Sequence, residues 1–262
     1  MKEASNIMGK LNFWAVVGVS FFLYGAHAYP SWAGGFTQPE GGAFVSTTFR
    51  TLDSGSFEKL EVEAYAEYGL KDNITLLFKV PYQWIRDEQF NPARTNSGFF
   101  DAEVGVRWRF TQDPRWAAAL QVTPIIPLGY DPNAPLPLSR GGVGLDVRVP
   151  VSRTFPVGKR FGYWTLEVAY RPYFSKRSDE FRTFAEVAIP VTDRLDVATQ
   201  IDSIIGTQDR EADFTKVVGQ LRIKANDTIR IVPAAYKQID GPGYGFELGL
   251  WFTFGGAIAT GK

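Results

Sequence analysis

From residue 43 onward, apolar and polar side chains alternate in runs of about ten residues, each closed by turn-forming residues. Twelve such runs are legible: 43–51, 59–68, 74–85, 99–110, 116–126, 142–151, 163–174, 181–189, 195–205, 215–224, 228–236 and 244–254. Period two places successive side chains on opposite faces of an extended chain, so each run predicts a strand with one apolar face. In the fourth run Phe100, Ala102, Val104, Val106, Trp108 and Phe110 oppose Asp101, Glu103, Gly105, Arg107 and Arg109. In the second, Leu60, Val62, Ala64, Ala66 and Tyr68 oppose Glu61, Glu63, Tyr65 and Glu67. The last run has the same division, with Phe246, Leu248, Leu250, Phe252 and Phe254 against Glu247, Gly249, Trp251 and Thr253.

The connections sort into two alternating classes. Residues 70–73, 111–115, 190–194 and 225–227 are short and built on Asp, Asn and Pro, as tight turns are. Longer polar stretches fall between them at 52–58, 86–98, 127–141, 175–180, 206–214 and 238–243. An even strand count with short turns at one end and long loops at the other predicts a closed antiparallel transmembrane barrel of about twelve strands. A two-sheet sandwich has no reason to sort its loops by end. Residues 152–162 break the rule, reading as a long connection where a short one belongs. Aromatic residues gather at strand ends, among them Tyr68, Trp84, Phe110, Trp116, Phe174 and Phe254, as two interfacial girdles require.

The remaining segments fit export. Lys2 and Lys10 precede an apolar run from Leu11 to Tyr24 and an Ala26-His27-Ala28 sequence, the order of a secretory signal peptide cleaved after Ala28. The apolar run is shorter than the roughly 20 residues of a spanning helix. Residues 29–42, rich in Gly and Pro, read as an irregular periplasmic or plug segment, and residues 255–262 as a short periplasmic tail.

Losing residues 1–28 removes two Lys, one Glu and the single His, leaving 26 basic against 27 acidic side chains. No basic excess suggests nucleic acid. With no Cys there is neither a disulfide framework nor a thiolate metal site. Without His, Ser-His triads and His-ligated metals are excluded. Acid pairs such as Glu61 with Glu63, or Asp101 with Glu103, share a face but read as a charged wall. No enzyme activity, cofactor or metal is expected.

The final strand resembles the C-terminal insertion signal of bacterial outer-membrane barrels in Glu247, Gly249, Phe252 and Phe254, which implies that residues 246–254 engage the barrel-assembly machinery. The segment Gly34-Gly35-Phe36-Thr37-Gln38-Pro39-Glu40-Gly41, with Glu67-Tyr68-Gly69-Leu70 and Asp72-Asn73-Ile74-Thr75-Leu76, resembles outer-membrane barrels of the phenol-degradation meta-pathway transporter type. The resemblance implies an outer-membrane location in a Gram-negative cell and passive passage of small molecules.

Polar-face parity then gives the expected pore lining: Glu61, Glu63, Glu67, Lys79, Asp101, Glu103, Arg107, Arg109, Asp146, Arg148, Glu167, Arg171, Arg182, Glu186, Asp202, Arg222, Lys224, Arg230 and Glu247. With the short turns periplasmic, Glu61, Glu63, Asp101 and Glu103 lie toward the outer mouth, and Arg107, Arg109, Arg148, Arg222, Lys224 and Arg230 toward the periplasm. Counting back from the turns places Glu63 near Lys79 and Arg182 near Asp202. Arg222, Lys224 and Arg230 form a basic corner expected to hold an anion or an acidic plug residue such as Glu40. A porin-like channel is the leading expectation, and a closed structural or assembly barrel around an exported partner is the alternative.

Overall fold

The computed structural model describes residues 34–131, 133–139, 141–175, 178–208 and 213–255. The expected signal peptide with Ala26 and Ala28, the start of the lead-in and the tail beyond residue 255 lie outside the described residues.

Thirteen strand segments follow one another: β1 (Ala43–Asp53), β2 (Phe57–Lys71), β3 (Ile74–Asp87), β4 (Arg94–Phe99), β5 (Asp101–Arg109), β6 (Trp116–Pro127), β7 (Gly144–Val157), β8 (Arg160–Arg171), β9 (Glu180–Pro190), β10 (Leu195–Gly206), β11 (Phe214–Lys224), β12 (Ile229–Gln238) and β13 (Tyr244–Phe254). Both β4 and β5 pair with β3, so they are two halves of one barrel strand. The interruption at Phe100 has a local cause. Its N–H reaches the Pro81 carbonyl at 3.0 Å, but Pro81 has no N–H to return. Every neighbouring pair is antiparallel, and β13 pairs with β1 from Ala43↔Phe254 to Asp53↔Tyr244. The result is a closed twelve-stranded barrel, as the alternation predicts.

Its distribution of side chains is inverted relative to a water-soluble protein. Thirty-six large hydrophobic residues are exposed among the described residues, including Leu60, Val104, Val106, Trp108, Leu166, Val168, Phe246 and Leu248. The buried residues include Glu61, Asp146, Glu186, Arg107 and Arg222. A continuous apolar exterior of this extent exceeds the few hundred Å² that soluble monomers leave bare and matches a surface solvated by lipid. Trp108 packs against Phe110 near the tight-turn end, while Tyr82 packs on Trp84 and Phe99, and Tyr170 on Phe181, near the opposite end.

Three expected loops are strand in part: 86–98, which contains β4, 152–162 and 52–58. Residues 152–162 form a tight hairpin, with Val157 opposite Arg160 and only Gly158 and Lys159 between them. Gly158 adopts φ 61°, which a residue with a Cβ avoids, and Gly at the first central position is what a type II′ turn uses. The β7–β8 connection therefore obeys the short-turn rule. At the other end β1 and β2 extend until only residues 54–56 separate them, instead of 52–58. The β6–β7 connection, residues 128–143, is the long one, and it bends back over β4: Arg94 and Asn96 donate to the carbonyls of Pro135 and Leu136, and the Ser139 hydroxyl donates to Asp101 at 2.5 Å.

Candidate functional site: the charged lumen

The inward faces of the strands enclose a cavity of about 390 Å³, lined by seven carboxylates, four of them Glu63, Glu67, Glu103 and Glu186, and by six cationic side chains. That volume lies at the lower end of the roughly 300–1,000 Å³ typical of small-molecule sites. Taking charge out of bulk water is costly, so charges on such a wall persist where opposite charges and hydrogen bonds compensate them. Four clusters do this.

Near the tight-turn end Arg107 donates to Gln121 at 3.1 Å and lies 3.1 Å from Glu67. Glu67 also accepts from Tyr65 and from Gln38 Nε2 at 2.8 Å. Gln38 belongs to the lead-in, and so does Phe36, whose carbonyl takes a 3.1 Å hydrogen bond from Arg107. The Gly35 N–H donates to Ser152, the Gln38 N–H to Thr75, and Thr37 to the Asp72 carbonyl. Residues 34–39 are thus held inside this end of the barrel by polar contacts, with Gln38 1% exposed. Gly69 makes the close approach of the lead-in possible, since a Cβ there would stand 1.9 Å from the Pro39 carbonyl oxygen.

A second cluster lies on β1, β2, β11 and β13. Arg50 bonds Glu61 and Glu247, the latter at 2.8 Å; Lys59 reaches Glu61 at 3.2 Å and Lys216 reaches Glu247 at 3.3 Å. The third runs across β3, β5, β7 and β8. Lys79 holds Glu103 at 2.6 Å, Arg171 bridges Glu103 and Asp146 at 3.4 and 2.8 Å, and Arg148 bridges Asp146 and Glu167 at 3.2 and 2.6 Å. In the fourth, Arg222 meets Glu186 at 2.6 Å, bonds Tyr163, which itself donates to Glu186, and lies 5.0 Å from the Trp251 ring centroid.

Twelve of the residues expected in the lining border this cavity: Glu63, Glu67, Lys79, Glu103, Arg107, Arg148, Glu167, Arg182, Glu186, Asp202, Arg222 and Glu247. Glu61, Asp146 and Arg171 point inward but are engaged in the ion pairs behind it, and Asp101 sits under the long loop. Arg109 and Arg230 are half-buried toward the tight-turn end, where Lys224 pairs with Asp227 at 2.7 Å.

Three expectations change. Glu63 faces Pro81, not Lys79, because the β2–β3 turn sits on Asp72 and Asn73 and the register shifts between Gly69 and Lys71. The basic corner is internally compensated, with Arg222 on Glu186, Lys224 on Asp227 and Arg230 on Asp196 at 2.7 Å, so it needs neither a bound anion nor Glu40. Glu40 is exposed, its N–H donating to Asp72. Nor does the wall divide into acidic and basic ends, since Glu61 and Glu63, set toward the outer mouth, lie beside Arg50, and Glu103 beside Lys79. Arg50, Lys59, Lys216, Tyr65 and Tyr163 are wall or cluster residues absent from the expected set. Lys59 and Lys216 share the inward parity of Glu61 and Arg222, a signal that was available; Gln38 and Ser139 come from irregular segments with no parity to follow.

No family model and no curated protein matches the chain. Solved structures do. An outer-membrane channel from Pseudomonas putida F1 superposes with a TM-score of 0.63 at 12% identity, over 86% of this chain and 99% of the other. The fold is that of a closed outer-membrane β-barrel. The NanC porin gives a TM-score of 0.56 at 10% identity, covering 79% of this chain and 98% of the porin. The KdgM porin gives 0.50 at 9% identity, covering 80% and 100%. At such identities the likeness is one of architecture alone.

Proposed function

We propose that this barrel resides in the bacterial outer membrane after export and passes small solutes by diffusion, with selectivity set by the charged wall. The observation that carries this reading is the polar cavity of about 390 Å³ inside a barrel whose exterior is apolar. The exposed face of β13, with Phe246 and Leu248 outward and Glu247 inward, suits lipid and recognition of residues 246–254 by the assembly machinery. The resemblance to phenol-pathway transporters bears on which solute passes. The lead-in acts as a plug at the tight-turn mouth, held by Arg107, Glu67 and Ser152.

The same plug favours the closed-barrel alternative, so the test must separate them. Refolded protein and a variant lacking residues 34–41 are inserted into planar lipid bilayers. The channel reading expects small discrete conductance steps from the intact chain and larger ones from the deletion. Intact chain that is folded and silent, with a deletion that is also silent, leaves the structural barrel as the better account.

A further inference from the structure

Of the six cations that border the cavity, Arg182 lacks the hydrogen-bonded carboxylate or close ion pair that the others have among the described residues. Arg182 on β9 lies two residues from the long-loop end of its strand and borders the cavity. Its Nε is buried with no hydrogen-bond partner among the described residues. Its nearest carboxylate is Asp202 on β10, 3.8 Å from one guanidinium nitrogen, which is an ion-pair distance but too long for a hydrogen bond. The other carboxylate that acts on it, Glu103, is committed to Lys79 and Arg171. Arg148 and Arg171 themselves add repulsion at Arg182.

A guanidinium offers five N–H donors in a planar fork and cannot shed its proton. Leaving such a group unsatisfied in a confined space is expensive, and the geometry that satisfies it best is a carboxylate accepting two parallel hydrogen bonds. We propose that Arg182 is the anchor of a subsite for a small solute bearing a single carboxylate, which enters from the long-loop mouth and docks its oxygens on the terminal nitrogens of the guanidinium in place of Asp202. The proposal rests on the channel reading for the route of entry only. Charge argues for a monoanion over a phosphate dianion: a single guanidinium, without a hydrogen-bonded carboxylate, receives it, and Asp202 and Glu103 act on the same group. The cavity size admits a molecule of a few carbon atoms up to a monosaccharide acid. Asp202 serves as the competing internal anion, holding Arg182 loosely so that a solute carboxylate displaces the pair without breaking a tight hydrogen bond.

Gluconate is a suitable probe. Binding to refolded, heat-modifiable full-length protein in detergent is measured by titration calorimetry for the native chain, Arg182→Gln and Asp202→Asn. Loss of a bidentate charge-assisted contact predicts a Kd about tenfold to a hundredfold weaker for R182Q. Removal of the competitor predicts tighter binding for D202N, which also decides the matter if R182Q does not refold. Absence of gluconate binding by the native chain, or binding that R182Q leaves unchanged or D202N weakens, overturns the subsite. Planar-bilayer currents taken in parallel keep the two claims apart. Gluconate block lost in R182Q supports both, whereas binding that depends on Arg182 in a silent barrel retains the subsite and removes the channel.

Discussion

Replacing Arg222 by Met tests whether the wall is held by compensated charge. Arg222 and Glu186 have 2% and 5% of their side chains exposed and meet at 2.6 Å. Removing one member of a buried pair typically costs about 3–5 kcal/mol, because the other charge is left without its partner. Here Glu186 keeps the hydroxyl of Tyr163 and the amide of Gln200 as donors, so the lower end applies, about 3 kcal/mol. Loss of the Trp251 contact at 5.0 Å adds about 0.5–1 kcal/mol. The double variant R222M/E186L removes both charges and is expected to fall within about 1–2 kcal/mol of the native barrel, and so to be more stable than R222M alone. Urea unfolding from phospholipid vesicles, followed by tryptophan emission, reads these differences as midpoint shifts at constant slope. A single-variant loss below about 1 kcal/mol, or losses that add with no coupling in the double variant, would refute the account of the wall.

Three further outcomes follow from the same contacts. Gly69→Ala places a methyl group 1.9 Å from the Pro39 carbonyl oxygen, so it is expected to expel the lead-in and raise conductance while the barrel stays folded; unchanged current means that the lead-in does not obstruct flow. Glu67→Gln weakens the grip on both Arg107 and Gln38 and should speed amide exchange at Gln38, measurable by mass spectrometry, with protection unchanged as the contrary result. In the β8–β9 loop, Asp179 accepts from the Tyr170 hydroxyl at 2.5 Å and the Tyr173 N–H at 2.9 Å, and these bonds hold its carboxyl below the usual range. A depressed pKa contributes stability that is present above the unfolded value, about 3.9, and is lost as pH falls through the lower folded value. Protection of the Tyr173 amide should therefore decline only at pH below about 4, and Asp179→Asn should remove that dependence.

The barrel was legible because lipid imposes a strict period. Glu247 between Phe246 and Leu248 admits one orientation only, and the same logic ran through β2, β5 and β8. Where the strands leave lipid the constraint lapses. Ser152 to Val157 places Arg153 on the face of Phe155 and Val157 and Pro156 on the other, which interrupts the alternation, so it read as loop although β7 continues through it. The faces of the wall residues were equally legible, but their partners were not. Lys79 finds Glu103 through the β3–β5 register, which is set across residues 88–100 and not by a tight turn that counting can fix. The contribution of the lead-in depends on Ser152, Thr75 and Glu67 meeting in space from three different strands, which no single run encodes.

The central claim, a narrow passage through a charge-lined barrel, is tested most directly by liposome swelling with solutes of graded size. Vesicles carrying the folded chain should swell in isosmotic arabinose, more slowly in glucose and hardly at all in raffinose, with every rate rising when residues 34–41 are deleted. Vesicles that remain unswollen in all three sugars with either protein, while heat-modifiable migration shows the barrel folded, contradict the claim.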